Sequence, residues 1–229
     1  MTSNNTRIIH VNDLPQGGFA GIVETQMVIS PKLMSAASSR ADISHGLGSF
    51  VYLSTGYFKP NDGAPIHPHE NVDIVTLVLS GQIAHKGSLG DGTVINAPGV
   101  QVQRAGVGML HSEINTDNAP AKFVQIWFLP PQNGLTPAYQ DFSLLPNKLT
   151  TVLDGDSSHE ASAHFDNQMT CQIGTLEKGK TLLLEVAFIA FVTQGEAIIN
   201  GLTVTEGDLI EGEHLDLQTI AELGLVLIY

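Results

Sequence analysis

The chain has 229 residues, enough for one large all-β domain or two smaller ones. Its 42% hydrophobic and 14% charged residues describe a folded chain and not a disordered one. A formal net charge of −13 argues against direct nucleic-acid binding through a basic surface, and a single cysteine, Cys171, excludes an intramolecular disulfide and fits a reducing cytoplasm.

The opening residues Met1 to Asn5 are polar and carry no apolar signal-peptide core. Pro31–Ala41 has room for one short helix, and no long 3.6-residue periodicity follows. Instead, short apolar or alternating runs recur: Phe50–Phe58, Ile74–Leu79, Phe123–Leu129, Leu182–Val192, Ala197–Ile199 and Leu223–Tyr229. Gly, Pro, Asn and Asp separate them, which predicts an all-β fold of sandwiches or barrels. The longest apolar stretch, Thr181 to Thr193, is interrupted by Glu185 and falls short of the roughly 20 residues a membrane helix needs. No membrane span is expected, and a cytoplasmic location is.

A weak internal repeat is also visible. Val78-Leu79-Ser80-Gly81 followed by Pro98-Gly99 is echoed by Val192-Thr193-Gln194-Gly195 followed by Glu206-Gly207. Two similar barrels account for it. The expected division is residues 1–137 and 138–229, after the Pro- and Asn-Gly-rich segment Pro130–Pro137.

The chemistry concentrates in His67-Pro68-His69 and His111-Ser112-Glu113. Alternate side chains of a strand share a face, so each i, i+2 pair can aim both members at one point. Pro68 biases His67 towards extended backbone. Two such strands side by side bring three imidazoles and one carboxylate to a shared centre. That donor set suits one divalent transition ion: Fe, Mn, Co, Ni, Cu or Zn. Thiolates are absent from it, which disfavours a structural zinc site. Transferred along the repeat, the four positions fall on Thr181, Leu183, Thr219 and Ala221, none a usual metal ligand. The second barrel is therefore expected to bind no metal.

Other candidates carry less. His85 is expected on the solvated surface. His10, His45, His159, His164 and His214 have no partner at ligand spacing. Arg104 reads as a solvated edge residue, or else as a pocket-mouth charge that attracts anions. Gly106 and Gly108 read as a tight turn before His111.

These motifs together resemble the pirin family of the cupin superfamily. The resemblance rests on His67-Pro68-His69, the strand ending at Gly81, Ser88-Leu89-Gly90, Pro98-Gly99, Ala105-Gly106-Val107-Gly108 and His111-Ser112-Glu113. Gln125-Ile126-Trp127 and Asn133–Pro137 are similar to bacterial members. It implies a bicupin with one metal, Fe(II) first among the candidates, held in the N-terminal barrel by His67, His69, His111 and Glu113. It also implies a dioxygenase that cleaves a flavonol such as quercetin, or a related enediol aromatic, with O2. Glu113 would then double as the catalytic proton acceptor. The alternative is a metal-dependent co-regulator that binds a protein partner without turnover. The chain departs from the family pattern at Asp73, Gly87 and Val102-Gln103-Arg104.

Overall fold

The computed structural model describes residues 6–89, 92–155 and 165–229. Two barrels follow one another along the chain, each made of a large and a small antiparallel sheet. The large sheet of the first runs, in spatial order, β12 (Ala138–Ser143), β9 (Gly99–Arg104), β6 (Asp73–Val78), β11 (Ala121–Phe128), β4 (Phe50–Phe58), β3 (Ile22–Ile29) and β2 (Gln16–Phe19). Its small sheet runs β5 (Gly63–His69), β10 (Met109–Ile114), β7 (Gln82–Gly87) and β8 (Thr93–Asn96).

In the second barrel the large sheet runs β1 (Arg7–His10), β19 (Asp208–Gly212), β16 (Phe188–Gln194), β21 (Leu223–Ile228), β14 (Cys171–Leu176) and β13 (Leu149–Leu153). The small one runs β15 (Thr181–Leu184), β20 (Leu215–Thr219), β17 (Glu196–Ile199) and β18 (Leu202–Thr205).

The repeat is present in the strand pairing. The order β9-β6-β11-β4-β3 recurs as β19-β16-β21-β14-β13, and β5-β10-β7-β8 recurs as β15-β20-β17-β18. Gly81 and Gly195 open equivalent turns, at φ of +74° and +82°. The pairing does not divide at 137/138, however. β12 hydrogen-bonds to β9 of the first barrel, and β1 to β19 of the second. Each barrel thus has an edge covered by a strand from the other half of the sequence, which spares it an open edge. The Pro130–Pro137 segment lies against the first barrel: Val107 N–H donates to the Leu135 carbonyl at 2.9 Å and Gly134 N–H to Asn71 Oδ1 at 2.8 Å.

The two large sheets pack face to face. Leu53, Val75, Val102 and Val124 of the first meet Ile173, Phe191, Leu209 and Val226 of the second in one continuous core. Burial on both faces explains why β6 and β9 are buried along their whole length. The helix expected within Pro31–Ala41 is a single 3-10 segment, Ser35–Ser39. The run Leu182–Val192 divides into β15 and β16. No helix among the described residues is long and apolar enough to cross a membrane.

In the second barrel the small sheet turns Leu182, Leu184, Leu215 and Leu217 into an apolar core. The equivalents read from the sequence miss that face in β15, where Thr181 and Leu183 are exposed. Counting from Gly195 set the face one residue off, and both faces lack metal-type ligands there.

Candidate metal centre

The alternation expected in β5 and β10 is observed. His67 and His69 point inward between exposed Pro65, Ile66, Pro68 and Glu70, and His111 and Glu113 are buried on the same side of β10. The strands are adjacent and antiparallel, with His111 directly opposite His67. A bulge follows, so Glu113 pairs with Ala64.

The three imidazoles meet. One ring nitrogen from each of His67, His69 and His111 lies within 4.8 Å of the others. The 1% exposed His111 has neither ring nitrogen in a hydrogen bond. A buried, unpartnered imidazole is costly unless something binds it. His67 Nδ1 is 2.8 Å from the Pro65 carbonyl, which can only accept. The ring therefore carries its proton on Nδ1 and keeps the Nε2 lone pair for a ligand bond.

The electrostatics agree. Burial pushes His111 down to about 2, with repulsion from His69, His67 and His85 adding to it. Burial likewise lowers His69 to about 4, helped by His67. His69 and His111 are thereby held neutral, the form that binds metal.

Glu113 lies outside the group of mutually close histidine nitrogens, alongside it. Its Oε1 accepts from Gln101 Nε2 and, at 3.2 Å, from Thr76 Oγ1, and its Oε2 accepts from Gln125 Nε2 at 3.2 Å. Gln125 Oε1 in turn accepts from Trp127 Nε1 at 3.2 Å. Burial raises the Glu113 carboxyl above its ordinary range. Sequence reading missed Thr76, Gln101 and Gln125. The available signal was polar residues alternating with valine in Val100-Gln101-Val102-Gln103, where the polar members face into the barrel.

Two expectations are corrected. His85 is not a surface residue: it is fully buried, its Nε2 lies 3.1 Å from Gln103 Oε1, and its ring packs on Tyr139 at 4.8 Å and His111 at 5.5 Å. It shares the inward face of β7 with Ile83. Arg104 is neither a solvated edge nor a pocket mouth. It forms a bidentate pair with Asp73, at 2.8 and 2.7 Å, on the face of β9 turned towards the second barrel, and also donates to the Asp166 carbonyl. Asp73 stands directly opposite it in the β6–β9 register. Gly106 and Gly108 do make the tight turn before β10, at φ of +52° and +133°.

Among the other histidines, His10 Nδ1 pairs with Asp208 at 2.5 Å and His45 contacts the Arg40 carbonyl at 2.9 Å. His159, His164 and Gly90 lie outside the described residues.

A cavity of about 500 Å3 opens onto His67, His69 and Glu113, within the usual range for small-molecule sites. Phe19, Ile29, Leu33, Met34 and Trp127 supply apolar walls. A larger groove of about 700 Å3 runs along the seam between barrels, but Lys122 and Glu206 are the charged groups of its described lining, and no histidine joins them.

A family model described as Pirin matches residues 36–128. A Mycobacterium tuberculosis protein provisionally named quercetin 2,3-dioxygenase is 36% identical over 178 residues, covering 74% of this chain and 70% of the relative. The chain belongs to the pirin family. Escherichia coli K12 quercetin 2,3-dioxygenase is 28% identical over 170 residues, 71% of this pirin and 73% of the relative. Among solved structures, the Escherichia coli bacterial pirin YhhW in complex with nickel(II) superposes with a TM-score of 0.82 at 20% identity, over 97% of each chain. That likeness establishes the bicupin fold of this pirin, and the nickel belongs to YhhW.

Proposed function

We propose that this pirin is a metal-dependent dioxygenase that cleaves a flavonol, or a related enediol aromatic, using O2. One divalent transition metal, Fe(II) first among the candidates, is held in the first barrel by His67, His69, His111 and Glu113. The observation that carries the reading is the cluster of three imidazoles with His111 buried and unpartnered. The cavity that opens onto two of the three favours an enzyme over a co-regulator, whose metal would need no small-molecule access.

When bound, the metal would supply activation of O2 and of the enediol oxygens. The protein does the rest. Trp127 and Phe19 offer ring faces that orient an aromatic substrate and exclude water. Gln101, Thr76 and Gln125 hold the Glu113 carboxylate in place. A Glu113 oxygen accepts the proton of the substrate hydroxyl, leaving an electron-rich enolate for oxidation.

The test is anaerobic purification, elemental analysis, and then an assay of flavonol loss together with O2 consumption. Stoichiometric loss of both supports the proposal. Full metal occupancy with no turnover of any flavonol would move the protein to the co-regulator reading.

A further inference from the structure

Glu24, Gln26 and Tyr52 form a polar group on the wall of the metal-facing cavity. The chemistry above makes no use of it. The Tyr52 hydroxyl lies 3.1 and 3.2 Å from the two Glu24 carboxylate oxygens. Gln26 Nε2 donates to Glu24 Oε1 at 3.3 Å and to the Tyr52 hydroxyl oxygen at 3.2 Å. A phenol has one proton, so Tyr52 donates to one carboxylate oxygen at a time. A carboxylate has about four acceptor sites, so Glu24 keeps acceptor capacity beyond Tyr52 and Gln26. Burial and the nearby Glu24 charge raise the Tyr52 hydroxyl well above its ordinary range, keeping it a donor.

Two ring contacts fix where this group stands. Tyr52 packs on Trp127 at 4.6 Å between centroids, and Trp127 packs edge-on to His69 at 5.3 Å. Glu24 is thus two rings away from the histidine cluster along one wall. The described lining contains Glu24 and Glu113 but neither Lys nor Arg. Arg40 lines an adjoining pocket with Glu24 and Gln26 but is paired with Asp42, and Arg104 is bound to Asp73 on the opposite face of the sheet. The Glu24 end of such a cavity repels anions and favours neutral hydroxyl donors.

We propose that Glu24, aligned by Tyr52 and Gln26, determines specificity by accepting a hydrogen bond from the distal hydroxyl of an uncharged, hydroxylated aromatic whose other end reaches the histidines. This rests on the reading that the cavity receives an aromatic substrate. Hydrogen bonds to charged groups are worth roughly tenfold to a hundredfold in affinity, which sets the expected discrimination.

Trp127 is the single tryptophan of the chain and lines the cavity, so its fluorescence reports ligand arrival without turnover. The protein is loaded with redox-inert Zn2+ and titrated with three ligands: quercetin, 3-hydroxyflavone, which lacks the distal hydroxyls, and a 3-hydroxyflavone with a distal carboxylate. The wild type should bind quercetin roughly tenfold to a hundredfold more tightly than 3-hydroxyflavone, and the carboxylate most weakly. In Glu24→Gln the first gap should shrink and the carboxylate should gain. The wild-type series needs no variant to fold, and Tyr52→Phe gives a second perturbation of the same carboxylate. Equal affinity of wild type for quercetin and 3-hydroxyflavone, no quenching by either, or undiminished discrimination in both variants would overturn the proposal. Discrimination without turnover of the iron-loaded protein would instead remove the dioxygenase reading and leave this one standing.

Discussion

His67 and His111 stand directly opposite one another across the β5–β10 pair, with ring centroids 4.5 Å apart. Opposed inward positions on neighbouring strands are the closest that two side chains of a sheet can be. His69, two residues along the same face, completes the group.

Metal binding should require this group. His67→Ala/His69→Ala is expected to lose nearly all bound metal, while wild type holds one equivalent per chain. Elemental analysis after anaerobic loading checks both. A full equivalent retained by the double variant would place the site elsewhere.

Glu113→Gln should damage turnover more than metal content. Glutamine keeps the shape and an oxygen but loses charge and basicity. A positioned general base contributes about a hundredfold to ten-thousandfold in rate. The variant is to be loaded with iron and assayed for flavonol cleavage at matched occupancy. Near-wild-type rates would leave Glu113 without the base role.

Acid should weaken the metal-free protein. The imidazoles of His69 and His111 titrate in the fold at about 4 and about 2. In the unfolded chain they titrate at about 6.5. The unfolded chain therefore binds these protons first as pH falls. Stability is intact above about pH 6.5 and is lost as pH falls from there, down to about 4 for His69 and about 2 for His111. Glu113 works in the opposite sense, because its raised value lets the folded chain take up a proton earlier. Two imidazoles against one carboxylate predict a net loss. Urea midpoints of chelator-treated protein at about pH 7.5 and about pH 5 measure it, and equal midpoints would contradict it. Bound metal should leave over the same window, since protonated imidazole cannot ligate.

The Asp73–Arg104 pair makes a separate prediction about the seam. Removing one partner of a buried pair costs about 3–5 kcal/mol, because the other charge stays buried. Arg104→Met should lose about that much stability, and Arg104→Met/Asp73→Leu should recover much of it. Both side chains face away from the histidines, so metal occupancy should hold in every variant. Denaturation of the two single variants and the double variant reads the coupling directly.

Much of this protein was legible in the chain itself. The period of two in His67-Pro68-His69 and His111-Ser112-Glu113 dictated which side chains share a face, and backbone geometry enforces that wherever the strand lies. The recurring turn at Gly81 and Gly195 marked the repeat. Tertiary structure alone decided what each face meets. Arg104 read as a solvated charge because alternation does not reveal that β6 sets Asp73 beside it, or that a second barrel covers the outer face of β9 and brings the Asp166 carbonyl to it. His85 read as exposed because nothing local says that the inner face of β7 looks onto His111 and Gln103. The exchange of β1 and β12 between barrels, and the meeting of Glu24 with Tyr52 across β3 and β4, also stayed hidden. Local sequence fixes side-chain parity through backbone sterics, whereas strand partners and covered faces depend on contacts between residues far apart in the chain.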